Sequence, residues 1–126
     1  IAINIFKDNP FYGTGVKTFR FESYKKKYNV ASDFNNGSTH PHQFHFEILS
    51  ELGIIGYLLI ISNILIIMIK QKKINNNFLK IAGLLYLTSI LIPILPSGSF
   101  FTSYSASFFW LNYSFLIRFN TNRLQN

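Results

Sequence analysis

The chain has 126 residues, of which 48% are apolar, with 14 Phe, 7 Tyr, no Cys and a net charge of +7. The absence of cysteine excludes disulfides and thiol chemistry. The basic excess comes with no RNA- or DNA-reading motif and sits largely at the ends of apolar runs, which argues against a nucleic-acid partner.

The chain begins at Ile1 without an initiator Met, and residues 1–6 lack the basic-then-apolar order of a signal peptide. Asn9-Pro10 followed by Gly13 and Gly15 is turn-rich backbone, and the isolated Gly-x-Gly is weak evidence for phosphate binding. Lys25-Lys26-Lys27 is either an ordinary solvated stretch or an attractor for phosphate-bearing lipid. Asn35-Asn36-Gly37-Ser38 predicts a further turn.

Pro41 suits the first position of a helix, with Thr39 or His40 near the cap, so a helix is predicted from Pro41 toward Leu52. If it continues unbroken, a step of ~100° per residue returns Gly53 to the azimuth of His42, with Gly56 beside it. The imidazole would then stand over a bare-backbone groove. On the same helix Glu47 and Glu51 fall opposite His42, facing water or basic partners. His45 reads as packing or as an interfacial hydrogen bond. The spacing His40-x-His42-x2-His45 with Pro41 inside is not a usual zinc arrangement, and no metal is expected.

Three apolar runs follow, read as transmembrane helices over about 52–69, 78–95 and 100–118. The first is uncharged and would span about 27 Å as a helix. The second carries only Lys80, and the third ends at Arg118. Pro93-Ile94-Leu95-Pro96-Ser97-Gly98-Ser99 is the connection between the second and third. Ser99, Ser103, Ser107 and Ser114 share a face, a pattern expected at close helix contacts. Trp110 and Tyr113 lie inside the third run and are expected to pack. All 5 acidic residues precede the first span, whereas Lys70, Lys72, Lys73, Lys80, Arg118 and Arg123 follow it with no acid among them. Short Lys- and Arg-rich loops stay in the cytoplasm, so the connection 70–77 and the tail face inward and residues 1–51 face outward. The expected class is therefore an all-α integral membrane chain: a partly helical extracytoplasmic loop, then the C-terminal three spans of a larger polytopic bundle.

The pattern His42-Gln43-x9-Gly53-x2-Gly56 resembles the O-antigen ligase and polymerase-like superfamily of bacterial envelope glycosyltransferases. Asn9-Pro10, Gly13-x-Gly15 and Phe19 before it, and Pro96-Ser97-Gly98-Ser99-Phe100-Phe101 after it, support the likeness. Tyr57-Leu58 departs from it, since some ligases carry small hydroxyl residues there. The resemblance implies a membrane glycosyltransferase, independent of metal and cofactor, in the bacterial inner membrane. It would move a glycan from an undecaprenyl diphosphate carrier to a sugar hydroxyl on a glycan, lipid-core or protein acceptor, among membrane lipids. It implies His42 as the base, Gln43 as a positioning group for sugar or ring, and Lys17 and Arg20 as holders of the diphosphate. Gly53 and Gly56 would admit a neighbouring helix or the polyprenyl tail. The rival class is a non-enzymatic polytopic membrane protein, such as a transporter or a lipid-linked glycan handling subunit. A transporter would carry ionisable residues or broken helices at mid-membrane.

Overall fold

The computed structural model describes residues 1–28, 37–71, 78–93 and 95–121. The Asn35-Asn36 half of one expected turn, Ile94 of the connection before the third run, the basic residues Lys72 and Lys73, and Arg123 lie outside the described residues. Among those described, every regular element is a helix: α1 (Ala2–Asp8), α2 (Phe19–Glu22), α3 (Phe44–Gln71), α4 (Phe78–Leu91) and α5 (Ser103–Thr121).

Two apolar clusters hold these helices. Ile5 of α1, Phe19 of α2 and Tyr28 form the smaller, with Ala2 packed against it. The larger gathers Phe44, Ile48, Ile64 and Ile67 of α3 with Leu87 of α4 and with Phe109 and Leu116 of α5. The Gln71 side chain adds a tie between the far ends of α3 and α5, donating to the Leu116 carbonyl at 2.6 Å.

Helix α3 is not continuous. Gly53 has φ 67° and ψ −170°, and it divides α3 into a short half-helix, 44–52, and a longer half, 54–71. Only glycine adopts that conformation readily. A helix break exposes carbonyls on one side and N–H groups on the other. The turn-rich segment 10–15 meets both sets. Thr14 and Gly15 donate their N–H groups to the carbonyls of Ser50 and Glu51 at 3.1 and 2.8 Å. Ile54 and Ile55 donate theirs to the carbonyls of Pro10 and Phe11 at 2.8 and 3.3 Å. The fit leaves no room for a side chain. A Cβ on Gly53 would lie 2.4 Å from the Phe11 carbonyl, and one on Gly13 would lie 2.3 Å from the Glu51 carbonyl carbon.

The helix boundaries differ from the apolar runs for local reasons. Helix α4 stops at Leu91, because Pro93 removes an N–H and disfavours helical backbone at Ile92. Helix α5 starts at Ser103 because Thr102 caps it, its carbonyl accepting from Ala106 N–H at 2.9 Å. Only α3 among the described helices is long and apolar enough to cross a membrane, with mean hydropathy 2.6 over its most apolar stretch. Helix α4 has 14 residues. At the helical rise it would reach about 21 Å.

Two expectations about α5 change. Phe109, Tyr113 and Leu116, spaced i, i+4 and i+7, form its packing stripe, while Ser103, Ser107 and Ser114 are exposed. The Ser107 and Ser114 hydroxyls turn back to the carbonyls of Ser103 and Trp110, at 2.6 and 2.7 Å, and form no hydrogen bond between helices among the described residues. Such back-bonding is the common fate of a hydroxyl inside a helix. Tyr113 packs as expected and its hydroxyl meets Asn63 of α3, but Trp110 is 56% exposed. The lysine run behaves as a solvated stretch: Lys25 pairs with Glu22 at 2.8 Å and Lys27 with Asp8 at 2.6 Å. The Lys27 hydrogen bond holds the Asp8 carboxyl below its ordinary range.

Candidate active site

The expected helix start at Pro41 is displaced to Phe44. His42 has φ 57°, outside the right-handed helical region, so the helix cannot include it. Gln43 caps α3: its Oε1 accepts from Phe46 N–H at 2.9 Å, and its backbone carbonyl accepts from Glu47 N–H at 3.1 Å. The other end of the same amide, Nε2, donates to the Pro93 carbonyl at 3.0 Å. One residue earlier, the His42 carbonyl accepts from Ser97 N–H at 2.9 Å. His42 is therefore fixed by its backbone against the α4–α5 connection. The register that would have set it over Gly53 does not exist, because the chain is non-helical at both residues.

The ring itself is exposed, and among the described residues its nitrogens carry no hydrogen bond. It lies against the His40 ring with centroids 4.1 Å apart and planes inclined at 52°. Both imidazoles border a cleft of about 330 Å³ whose other walls include Ala2 and Ile3 of α1, Phe19 of α2, Ser38 and Phe46. His45 takes no part in it. Its Nε2 donates to the Leu91 carbonyl at the end of α4, 3.1 Å away, and its Nδ1 lies 3.0 Å from the Tyr57 hydroxyl. A carbonyl only accepts, so in the neutral ring the proton sits on Nε2 and the tyrosine donates to Nδ1. His45 thus spans the helix break and ties it to α4, the structural use expected of it.

Glu47 and Glu51 depart most from expectation. Instead of facing water or cations, both are 2% exposed. Glu51 accepts from the backbone N–H groups of Lys17 and Phe19 at 2.6 and 3.0 Å, closing the loop before α2. Glu47 accepts from the Ser99 hydroxyl and from Phe100 N–H, the latter at 2.7 Å. One turn of α3 thereby grips the chain before it with one carboxylate and the chain after it with the other. A Glu51→Gln substitution should lower the midpoint of thermal unfolding in detergent, by the equivalent of about 1–3 kcal/mol, since the amide must set an NH2 against one of two N–H donors. An unchanged midpoint would show that the two bonds carry no stability.

The remaining expected site residues divide. Lys17, with φ 61°, gives its backbone to Glu51 while its side chain is exposed; Arg20 on α2 is exposed as well. Neither lines the cleft, although Phe19 between them does. The furrow expected at Gly53 is filled by backbone from Phe11 to Gly13, and a Cβ on Gly56 would meet its own helix at Leu52, 2.5 Å away. Gly53 is therefore closed to a lipid tail, while Gly56 is half-buried. Sequence reasoning overlooked the two glutamates. The available signal was a pair of acids at i and i+4, with no basic partner nearby in sequence, between a Gly-x-Gly turn and a Ser-Gly-Ser turn rich in free N–H groups.

These features define a class: a helical chain with a membrane-length broken helix, and a backbone-clamped, exposed histidine just before its first half. Residues 1–61 match the family model described as O-antigen ligase. The matched stretch carries the segment 9–15, His42, Gln43 and both Gly53 and Gly56, while the 96–101 segment lies beyond it. No curated protein and no solved structure matches the chain. The family match supports a membrane function of the glycosyltransferase type.

Proposed function

We propose that this chain carries the general base of a membrane glycosyltransferase. The enzyme transfers a glycan from an undecaprenyl diphosphate carrier to a sugar hydroxyl, as an O-antigen ligase or a polysaccharide polymerase does. The observation that carries this reading is convergence. Two segments that bear the family resemblance, 9–15 and 96–101, are far apart in sequence yet both hydrogen-bond to the third, 42–56, the first at the Gly53 break and the second at His42 and Glu47. Packing alone would not require the residue that Ser97 docks against to be an exposed histidine with positive φ.

A sugar hydroxyl is a weak nucleophile near neutral pH, and a neutral imidazole within hydrogen-bond reach takes its proton as the C–O bond to the anomeric carbon forms. The departing lipid diphosphate is already anionic and needs cations more than protons. Lys17 and Arg20, exposed on either side of Phe19, are the described cations nearest the cleft in sequence and are proposed for that role. Gln43 acts by fixing the chain next to His42, its amide joining the first turn of α3 to the Pro93 carbonyl.

In this reading α4 and α5 also cross the inner membrane and the protein is multi-pass, with the His42 cleft outside. The exposed faces of all three helices support it, carrying Leu59 of α3, Leu85 of α4 and Leu111 of α5. The rival transporter reading would draw on the break in α3. That break falls at the N-terminal end of the apolar run rather than at mid-membrane, and its free groups are satisfied by segment 10–15, which favours a rim-located enzyme.

Two experiments test the proposal. In a strain lacking the protein, a correctly inserted His42→Ala variant should leave surface glycan absent or greatly reduced; glycan of normal amount and length would remove the catalytic assignment. For topology, cysteines placed singly at Ser38 and Asn76 should differ, with Ser38 labelled in whole cells by an impermeant thiol reagent and Asn76 protected. The reverse pattern would invert the orientation.

A further inference from the structure

A second pocket, of about 340 Å³, is lined by residues of α4, α5 and their connection together with Phe44. Its walls include Tyr86 of α4, Ser97 and Phe100 of the connection, and Tyr104, Ser105 and Phe108 of α5. Phe44, the first residue of α3, shares its floor with Phe100, the two rings meeting edge to face at 5.1 Å. The pocket therefore touches the same backbone that clamps His42, since Ser97 lines it while its N–H holds the His42 carbonyl.

Three features of the lining select an occupant. No charged side chain lines the pocket among the described residues, so a phosphate, a carboxylate or a cation would be desolvated there without a counter-charge. Phe44, Tyr86, Phe100, Tyr104 and Phe108 all contribute to the lining, so it is rich in aromatic side chains, two of them bearing a hydroxyl. The Ser97 hydroxyl oxygen is buried and has no hydrogen-bond partner among the described residues, an arrangement that costs stability unless something else supplies one. A hydrocarbon chain would satisfy the rings and leave that hydroxyl orphaned. A neutral molecule with C–H faces and a hydroxyl-bearing edge satisfies both. The volume falls at the lower end of the range for small-molecule sites, ~300–1,000 Å³.

We propose that this pocket is a subsite for one neutral pyranose ring, held by its C–H face on Tyr104 and Phe108 and by a ring hydroxyl on Ser97. The assignment of that ring to the transferred or accepting glycan rests on the transferase reading; the fit of a neutral sugar to the pocket does not.

Saturation-transfer NMR on the whole protein in nanodiscs tests it, with methyl α-glucoside, methyl α-galactoside and N-acetylglucosamine as separate probes. At least one should receive saturation on its ring C–H protons and bind about tenfold more weakly to Tyr104→Ala, a loss in line with one aromatic contact. Tyr104 is 76% exposed, so this variant should fold as the parent does. Ser97→Ala should weaken the same probe, and His42→Ala should not. The proposal is overturned if none of the three sugars receives saturation, if Tyr104→Ala and Ser97→Ala both bind as the parent does, or if farnesol displaces the bound sugar from this pocket. Sugar binding that survives His42→Ala, in a variant still making normal glycan, would retire the catalytic histidine and leave the subsite standing.

Discussion

His42→Gly and His42→Asn should fold at least as well as the parent and make almost no glycan. Residue 42 sits at φ 57°. That conformation costs a side-chain-bearing residue of ordinary type about 1 kcal/mol or more and costs glycine nothing, while asparagine tolerates it better than most. The contacts that fix this stretch come from the backbone of His42 and the side chain of Gln43, so neither substitution removes them. What is lost is the base. Removing a positioned general base lowers turnover by about 10²–10⁴-fold, equivalent to ~3–5 kcal/mol in the barrier. Folding and activity thus move in opposite directions, which a merely structural histidine would not produce. Thermal unfolding in detergent, paired with the glycan ladder from complemented cells, reads both. A His42→Asn variant that is stable and makes a normal ladder would end the assignment.

Gly53→Ala should fail to give folded protein, and Gly13→Ala should behave in the same way. Each residue has φ +67°, and at each the added methyl would sit within 2.4 Å of the other segment's backbone. Backbone cannot swing aside as a side chain can. Either segment 10–15 leaves the break, exposing the N–H groups of Ile54 and Ile55 and the carbonyls of Ser50 and Glu51, or the helix straightens and expels it. Strain of about 1–3 kcal/mol at the substituted residue adds to the loss of those four hydrogen bonds, a sum that approaches the whole stability of a small domain. Gly98→Ala is the matched control: its φ is not in the left-handed region, and the nearest atom to the new methyl is 3.5 Å away. Its effect should stay within about 0.5 kcal/mol. Fluorescence-detected size exclusion and thermal unfolding of the three variants make the comparison. If Gly53→Ala elutes and melts like Gly98→Ala, the interlock of the two segments is not what holds the break.

The two predictions share a cause. The break at Gly53 opens α3 so that segment 10–15 can enter, and the positive φ at His42 delays the helix start so that Pro93 and Ser97 can dock beside it. Between the two lies the short half-helix, 44–52, whose buried face carries both glutamates. Loosening either end would free the half-helix that carries Phe46, and the histidine just before it, to shift against the α1–α2 wall of the cleft. The same half-helix carries His45, whose bonds to Tyr57 and Leu91 fix the angle between the two halves of α3. Tyr57, the departure from the family pattern, is thus part of the brace in this chain.

The amino-acid sequence by itself settled what local chemistry settles. Long apolar runs became helices, because backbone that leaves water must pair within its own segment. Pro93 ended α4, somewhat before the expected boundary, and the motif around His42 pointed to the family that residues 1–61 then matched. Helical periodicity failed at His42 and Gly53, where φ is positive, and so it misplaced the imidazole and both glutamates. Nothing in the immediate neighbourhood of either position dictates that conformation; it is held by distant chain, through Thr14 and Gly15 on one side and Ser97 on the other. Only the tertiary structure decided that Glu47 and Glu51 grip backbone N–H groups instead of facing water, that Gly53 admits a loop instead of a lipid, and that Ser97 carries a buried hydroxyl in an aromatic pocket. The physical reason is that a polar group's partner can come from any part of the chain. A sequence pattern records that a donor or acceptor is present, while which one it meets depends on the closure of loops whose ends are far apart.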